Sequence, residues 1–175
     1  MTILDIKTLR YLVYDEDAGQ FPFMRTKLRK LGCIHIDVAD TPDKAAHIFE
    51  IENIDLVIIS LRQHTERSWD FVNWLRSPKM TPKAGLPILA LLDEIDDQIL
   101  LSLIRRGVNY VALKPVSSAA LGERIKKTLS TKLEMFRTEN YYGPDRRRLP
   151  DKEYAGHNRR DFNTESQTAR QKLAG

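Results

Sequence analysis

Leu9-Arg10-Tyr11-Leu12-Val13-Tyr14-Asp15-Glu16-Asp17 is a short apolar run stopped by three acids. A run this short and this rich in bulky side chains suits a strand buried on both faces. Four more runs of the same kind follow, at 33–38, 56–60, 88–92 and 110–113. Between them lie helical patterns at 23–31, 43–51, 68–75 and 96–106, and a fifth at 117–135 closes the series. Several of the helices carry their own stop and start signals. Thr41-Pro42-Asp43 sets a capping hydroxyl before a proline in the first turn, and Gly32 and Gly107 stand where helices should end. Strict alternation of strand and helix implies right-handed crossovers and a parallel sheet covered by helices on both faces. The expected fold class is therefore α/β.

The chain has 175 residues, enough for one compact domain and an appendage. No apolar run reaches membrane-spanning length, and the start, MTILDIKTLR, is interrupted by Asp5 and has no signal-peptide core. The single Cys33 rules out an internal disulfide and fits a reducing compartment, so a cytoplasmic location is expected. The histidines His35, His47, His64 and His157 show no metal-ligand spacing with it or with one another, which counts against zinc. Trp69 and Trp74, five apart on the third helical pattern, read as packing residues.

Charge is unevenly placed. Residues 131–175 hold ten basic and seven acidic side chains, whereas residues 1–130 hold eighteen and seventeen. The body is near neutral and the basic character sits in the tail. That tail repeats a short unit. Tyr141-Tyr142-Gly143-Pro144-Asp145-Arg146-Arg147 is echoed in register by Tyr154-Ala155-Gly156-His157-Asn158-Arg159-Arg160. Each copy has an aromatic, a glycine, an Asx residue and paired arginines, and reads as a tight turn presenting two guanidinium forks. Planar forks suit phosphate and guanine edges, and a tyrosine suits stacking. Apolar periodicity ends near Tyr141. The expected organisation is a domain over 1–136 and an arginine-rich tail over 137–175, largely disordered when free.

The acidic cluster after the first run and Leu113-Lys114-Pro115-Val116-Ser117 after the fifth resemble the receiver domain of response regulators, over roughly residues 7–130. Gly107-Val108-Asn109 and Pro87-Ile88 fit the same pattern. The resemblance implies a flavodoxin-like five-stranded sheet of order 2-1-3-4-5, with the site at the carboxyl ends of the strands. In that family an aspartate ending the third strand accepts a phosphoryl group, an acidic pair holds magnesium, and a lysine contacts the acyl phosphate. Asp15 and Glu16 match the acidic pair and Lys114 matches the lysine. Ser60 stands where the acceptor aspartate belongs, and Leu92 where the family has Thr or Ser. The switch aromatic falls on Val111, with Tyr110 one position off. A serine forms no acyl phosphate and takes one carboxylate from a cation that prefers charged oxygen. The chain thus resembles a pseudo-receiver, expected to be no enzyme, with at most weak cation binding at Asp15 and Glu16.

The tail is similar to one on some alphaproteobacterial receiver proteins, in which Phe-Arg-Thr precedes a Tyr-Phe-Gly-Pro-Asp-Arg-Arg-Arg turn. The matching residues are Phe136-Arg137-Thr138 and then Tyr141 through Arg148. It also resembles the arginine-rich tail of chemotaxis-regulator-like effectors of cyclic di-GMP. That implies cyclic di-GMP as ligand, with Tyr141, Tyr142, Asp145, Arg146, Arg147, Arg148, Tyr154, Arg159 and Arg160 as its binding residues, and no cofactor. In receivers the fourth helix, fifth strand and fifth helix commonly form the protein-partner face, and the tail leaves that last helix. The function expected is a signalling adaptor of the response-regulator type, not phosphorylated on aspartate, whose partner belongs to flagellar or chemotaxis machinery. The rival is a phosphorelay-type interaction module with an incidental or RNA-binding tail. Acids interleaved with the tail arginines count against nucleic acid, because each reduces counterion release.

Overall fold

The computed structural model describes residues 5–61, 66–78, 83, 85–94, 96–131 and 133–145. Five parallel strands, β1 (Arg10–Asp15), β2 (His35–Ala39), β3 (Leu56–Leu61), β4 (Ile88–Leu92) and β5 (Tyr110–Leu113), form one sheet in the order β2-β1-β3-β4-β5. The helices between them are α1 (Phe21–Lys30), α2 (Pro42–Ile51), α3 (Glu66–Leu75) and α4 (Asp97–Arg105), and α5 (Ser118–Ser130) follows β5. The order 2-1-3-4-5 and the parallel pairing are those expected.

Every residue of β3 is buried, as its unbroken Leu-Val-Ile-Ile-Ser-Leu sequence requires of a central strand. Side chains alternate between two cores. Leu12, Tyr14, Val57 and Ile59 join Phe71, Val72 and Leu103 on one side, and Tyr11, Val13, Leu56 and Ile58 join Leu28, Leu121 and Ile125 on the other. Trp74 packs on the first core, with its ring 5.9 Å from that of Phe71 and 5.6 Å from that of Phe49. Tyr110 and Val111 fall on opposite faces of β5, as their adjacency demands.

Local signals work as chemistry predicts. Thr41 accepts from the Lys44 N–H at 3.3 Å, Asp96 from Ile99 at 2.7 Å and Ser117 from Ala120 at 3.1 Å, each capping a helix. Gly32 and Gly107 both adopt φ +87°. After α1, the N–H of Gly32 bonds Arg29 O and that of Cys33 bonds Leu28 O. This double closure corrects the expected start of β2 at residue 33: the Cys33 N–H is spent on the helix end, and pairing with β1 begins at His35. The expected last helix, 117–135, is also too long. It ends at Ser130, where Thr131 turns extended and its hydroxyl bonds back to Lys127 O at 2.6 Å.

The larger correction concerns the start of the tail. Residues expected to begin a free extension form an antiparallel ribbon, β6 (Met135–Arg137) and β7 (Tyr142–Pro144). Order therefore continues past the expected 136/137 boundary to Asp145, whose N–H bonds Glu134 O at 2.8 Å.

Cys33 is fully buried, and burial raises its thiol above the usual value near 9. Burial likewise raises the Tyr11 phenol, whose hydroxyl donates to Ile6 O at 2.6 Å. Both groups are held neutral in the folded chain, so their contribution is complete below the unfolded thiol's pKa. It declines at higher pH, where the unfolded chain ionises first. We expect the denaturation midpoint to fall between about pH 8 and about pH 10, and Cys33→Ala to flatten that fall. An equal fall in the variant would remove Cys33 from the account.

Candidate functional site

The carboxyl ends of β1, β3, β4 and β5 lie side by side at one end of the sheet. Asp15 ends β1 and stands in register with Ser60 of β3, and both are almost wholly buried. Ser60 neighbours Leu91 of β4, so Leu92 and then Asp93 carry that strand out over the site. Lys114 follows β5, with a cis bond to Pro115. The parallel sheet thus brings residues 15, 60, 93 and 114 to one edge although they lie far apart in the chain.

Lys114 organises the group. Its Nζ donates to Ser60 Oγ at 3.1 Å and pairs with Asp93 Oδ1 at 3.1 Å and Oδ2 at 3.2 Å. Asp15 Oδ1 accepts the Asp17 N–H at 3.0 Å, and Asp17 in turn accepts from the Gly19 N–H at 2.9 Å. In the acidic run Asp93-Glu94-Ile95-Asp96-Asp97, the first residue binds the site lysine. Its position directly after β4 was the available signal, because strand-end acids are the ones that reach a site in this kind of sheet.

The donor set does not fit a divalent cation as it stands. Asp15 and Glu16 offer carboxylates, but Ser60 offers a neutral hydroxyl with an ammonium 3.1 Å away. Hard cations need several oxygen ligands, most of them charged. Among the described residues no three His, Cys, Asp or Glu side chains gather as a metal-holding group.

The tail residues fall elsewhere. Tyr141 is buried, with its hydroxyl donating to Pro144 O at 2.7 Å. It packs so tightly on Gly107 that a Cβ there would stand 2.2 Å from the phenol oxygen. Beside it lies Arg76, only 1% exposed, whose Nε and Nη2 donate to Gly107 O at 3.1 and 2.8 Å. Nη2 also reaches Asn109 Oδ1 at 2.9 Å, an oxygen that accepts the Ile88 N–H at 2.8 Å. The Arg76 carbonyl accepts the Tyr142 N–H at 2.7 Å. The ribbon is therefore clasped to the amino ends of β4 and β5, the end of the sheet opposite Lys114.

Tyr141 is thus corrected from a base-stacking residue to a packing residue. Tyr142 is half-buried, with the Arg137 guanidinium 5.6 Å from its ring centroid. Asp145 closes the ribbon through its backbone. Arg146, Arg147, Arg148, Tyr154, Arg159 and Arg160 lie outside the described residues, as do His64 and His157. Arg76 was not singled out from sequence, and Asn109 and Arg137 entered there only as members of matched motifs.

On the face made by α4, β5 and α5, Leu100, Ile104, Val111 and Leu133 line a groove of about 310 Å³. Leu133 belongs to the link between α5 and the ribbon. A second recess, about 350 Å³, lies between α3 and α4, where Arg106 stacks 4.7 Å over the Trp69 ring. No helix among the described residues is long and apolar enough to cross a membrane.

No protein-family model matches the chain. Over 123 residues it is 27% identical to the response regulator PleD of Caulobacter vibrioides, a match covering 70% of this chain and 26% of that protein. The chain therefore spans about a quarter of that relative's length. Among solved structures, a response regulator from Thermotoga maritima superposes with a TM-score of 0.60 at 24% identity, covering 71% of this chain and 99% of that one. The chemotaxis response regulator CheY4 of Vibrio cholerae gives 0.59 at 17% identity, covering 69% and 98%. A pilus assembly-related protein from Burkholderia pseudomallei gives 0.62 at 17% identity, covering 77% and 98%. With the strand order and the strand-end residues in place, the chain has the CheY-like receiver fold.

Proposed function

We propose that this chain is a signalling adaptor of the response-regulator type that is switched by a ligand on its tail and not by an aspartyl phosphate. The observation that carries this reading is the state of the strand-end site. Ser60 occupies the acceptor position, and Lys114 is already engaged by the serine hydroxyl and the Asp93 carboxylate. Such a lysine has an intramolecular anion in place of an acyl phosphate. The resemblance of the site to that of receivers, and the match to a response regulator, support signalling as the role.

The input we assign is cyclic di-GMP, captured by Arg146, Arg147, Arg148, Arg159 and Arg160, with Tyr142, Tyr154 and Asp145 in support. Guanine O6/N7 edges and phosphates both accept paired N–H donors, at about 1–3 kcal/mol for a good bidentate base contact. The output we assign is a protein partner on the face of α4, β5 and α5. Leu133 lines the groove of that face and leads directly into the ribbon that carries the arginines. Ligand capture and partner docking thereby share one stretch of backbone.

Calorimetric titration of cyclic di-GMP into the whole chain and into an Arg146→Ala, Arg147→Ala double variant tests the reading. We expect binding by the former and at least about a thirtyfold loss in the latter, from two good contacts at about 1–3 kcal/mol each. A chain that ignores cyclic di-GMP would instead favour the phosphorelay-type interaction module. The arginines would then be tested against RNA.

A further inference from the structure

The recess between α3 and α4, about 350 Å³, is lined by Trp69, Asp96, Gln98, Ile99, Ser102 and Arg106. It belongs neither to the strand-end site nor to the ribbon. Helical spacing builds its α4 wall: Ile99, Ser102 and Arg106 stand at i, i+3 and i+7 and share one face. A helical side chain leans back over the turn before it, which carries the Arg106 guanidinium toward Ser102. Arg106 is half-buried, with Cζ 4.7 Å from the Trp69 ring centroid. Its Nε is buried and makes no hydrogen bond among the described residues. Nor does any described carboxylate form an ion pair with it. The cation is thus drawn partly out of water without a counter-ion, a state that favours an anion at the open edge of its fork. At the other end of the recess Asp96 is fixed by accepting the Ile99 N–H at 2.7 Å. The side-chain donors of Gln98 and Ser102 are engaged by no described residue.

We propose that this recess is a binding site for a small monocarboxylic acid with an apolar or aromatic body. The Arg106 fork takes the carboxylate, the Ser102 hydroxyl and the Gln98 amide add donors, and Trp69 and Ile99 take the body. Charge decides the class. One arginine and one aspartate line the recess, so it carries no net charge of its own. A dianion such as phosphate would meet Asp96 with no second cation to offset it, and an amine would meet the partly desolvated Arg106. The volume lies at the small end of ligand pockets, which span about 300–1,000 Å³. None of the six residues lies in the tail, so the inference stands apart from the reading of cyclic di-GMP as input. Leu100 and Ile104 of the same helix line the groove toward β5, so an occupant that steadies α4 also bears on that groove.

The test is an NMR titration of the whole chain with benzoate, beside acetate, inorganic phosphate and benzylamine. We expect saturable benzoate shifts centred on the Trp69 indole N–H and the Ser102 and Arg106 amides. Benzoate should bind at least about tenfold more tightly than each of the other three. Arg106→Gln keeps much of the stem and removes the fork, and should weaken benzoate at least about tenfold, as loss of a charge-assisted hydrogen bond requires. Ser102→Leu fills the recess from a half-buried helix position. It should abolish the shifts with an unchanged thermal midpoint, and it carries the test should Arg106→Gln fail to fold. The Arg146→Ala, Arg147→Ala variant should bind benzoate like the wild type. Shifts that do not saturate or that centre elsewhere would overturn the proposal, as would wild-type affinity in Arg106→Gln or Ser102→Leu. Tighter binding of phosphate or benzylamine would refute the assignment from charge. A capped Phe-Glu dipeptide that outbinds benzoate at the same residues would give the recess to a protein partner's side chain and end the small-acid assignment.

Discussion

Ser60→Asp is expected to make the chain's stability depend on magnesium. Without a divalent cation the variant should lose about 1–3 kcal/mol, because the substitution places a second carboxylate beside a buried one. Asp15 and Ser60 are register partners on adjacent strands, about 4.8 Å apart at sheet spacing, and neither has access to water that would screen them. Lys114 Nζ, 3.1 Å from Ser60 Oγ, offsets one negative charge. It does so only by loosening its pair with Asp93. The same change supplies the carboxylate that the site lacks as a cation ligand. With magnesium at about ten times its dissociation constant, mass action returns about 1.4 kcal/mol. Thermal midpoints in chelator and in magnesium, for both chains, measure this directly. The wild-type midpoint should be insensitive to magnesium, and intact mass after incubation with acetyl phosphate should be unchanged for the wild type. A wild-type chain stabilised as much as the variant would show that Asp15 and Glu16 hold the cation unaided, and would end the argument from Ser60.

The contrast between Ser60 and Arg76 shows what the sequence carries and what it does not. Ser60, Asp15 and Lys114 were legible because each ends a strand, and strands of this sheet are legible from continuous apolar runs. Once the order is 2-1-3-4-5, strand ends converge without any knowledge of side-chain contacts. Asp93 was less legible. It stands among four acids in a stretch of five, and composition does not separate the one that binds Lys114 from Asp96, which caps α4. Arg76 had no local signal at all. Its partners Gly107 and Asn109 lie 31 and 33 residues away in sequence, and it follows a helix in a stretch that reads as ordinary surface. The ribbon was missed for a related reason. Three-residue strands have no periodicity to read, and the Tyr-Gly-Pro chemistry that made the segment look like a ligand turn also serves a tight packing turn. The burial of Tyr141 depends on a gap that Gly107 leaves, and a gap is not a property of any one residue.

Two glycines of identical backbone conformation give the last expectation. Gly32 and Gly107 each close a helix at φ +87°, so replacement by alanine carries the same left-handed strain at both, about 1 kcal/mol. Their surroundings differ. A Cβ on Gly32 would meet the Lys7 side chain at 3.1–3.3 Å, and that flexible stem on an exposed residue can move aside. A Cβ on Gly107 would stand 2.2 Å from the Tyr141 phenol and 3.0 Å from Arg76 Nε, both buried and both hydrogen-bonded. Room can be made only by moving the Tyr141 ring, which strips the ribbon from the domain and disturbs the carbonyl that Arg76 holds. Gly107→Ala should therefore cost about 3–4 kcal/mol in chemical denaturation, against about 1 for Gly32→Ala. Hydrogen exchange locates the difference. The Tyr142 N–H, bonded to Arg76 O, and the Asp145 N–H, bonded to Glu134 O, should lose protection in Gly107→Ala and keep it in Gly32→Ala. Equal losses at the two sites, with the ribbon amides protected in both, would mean that the ribbon is not clasped through Gly107. The tail would then hang from α5 as a free extension, and any ligand it captures would lack this mechanical route to the face of α4 and β5.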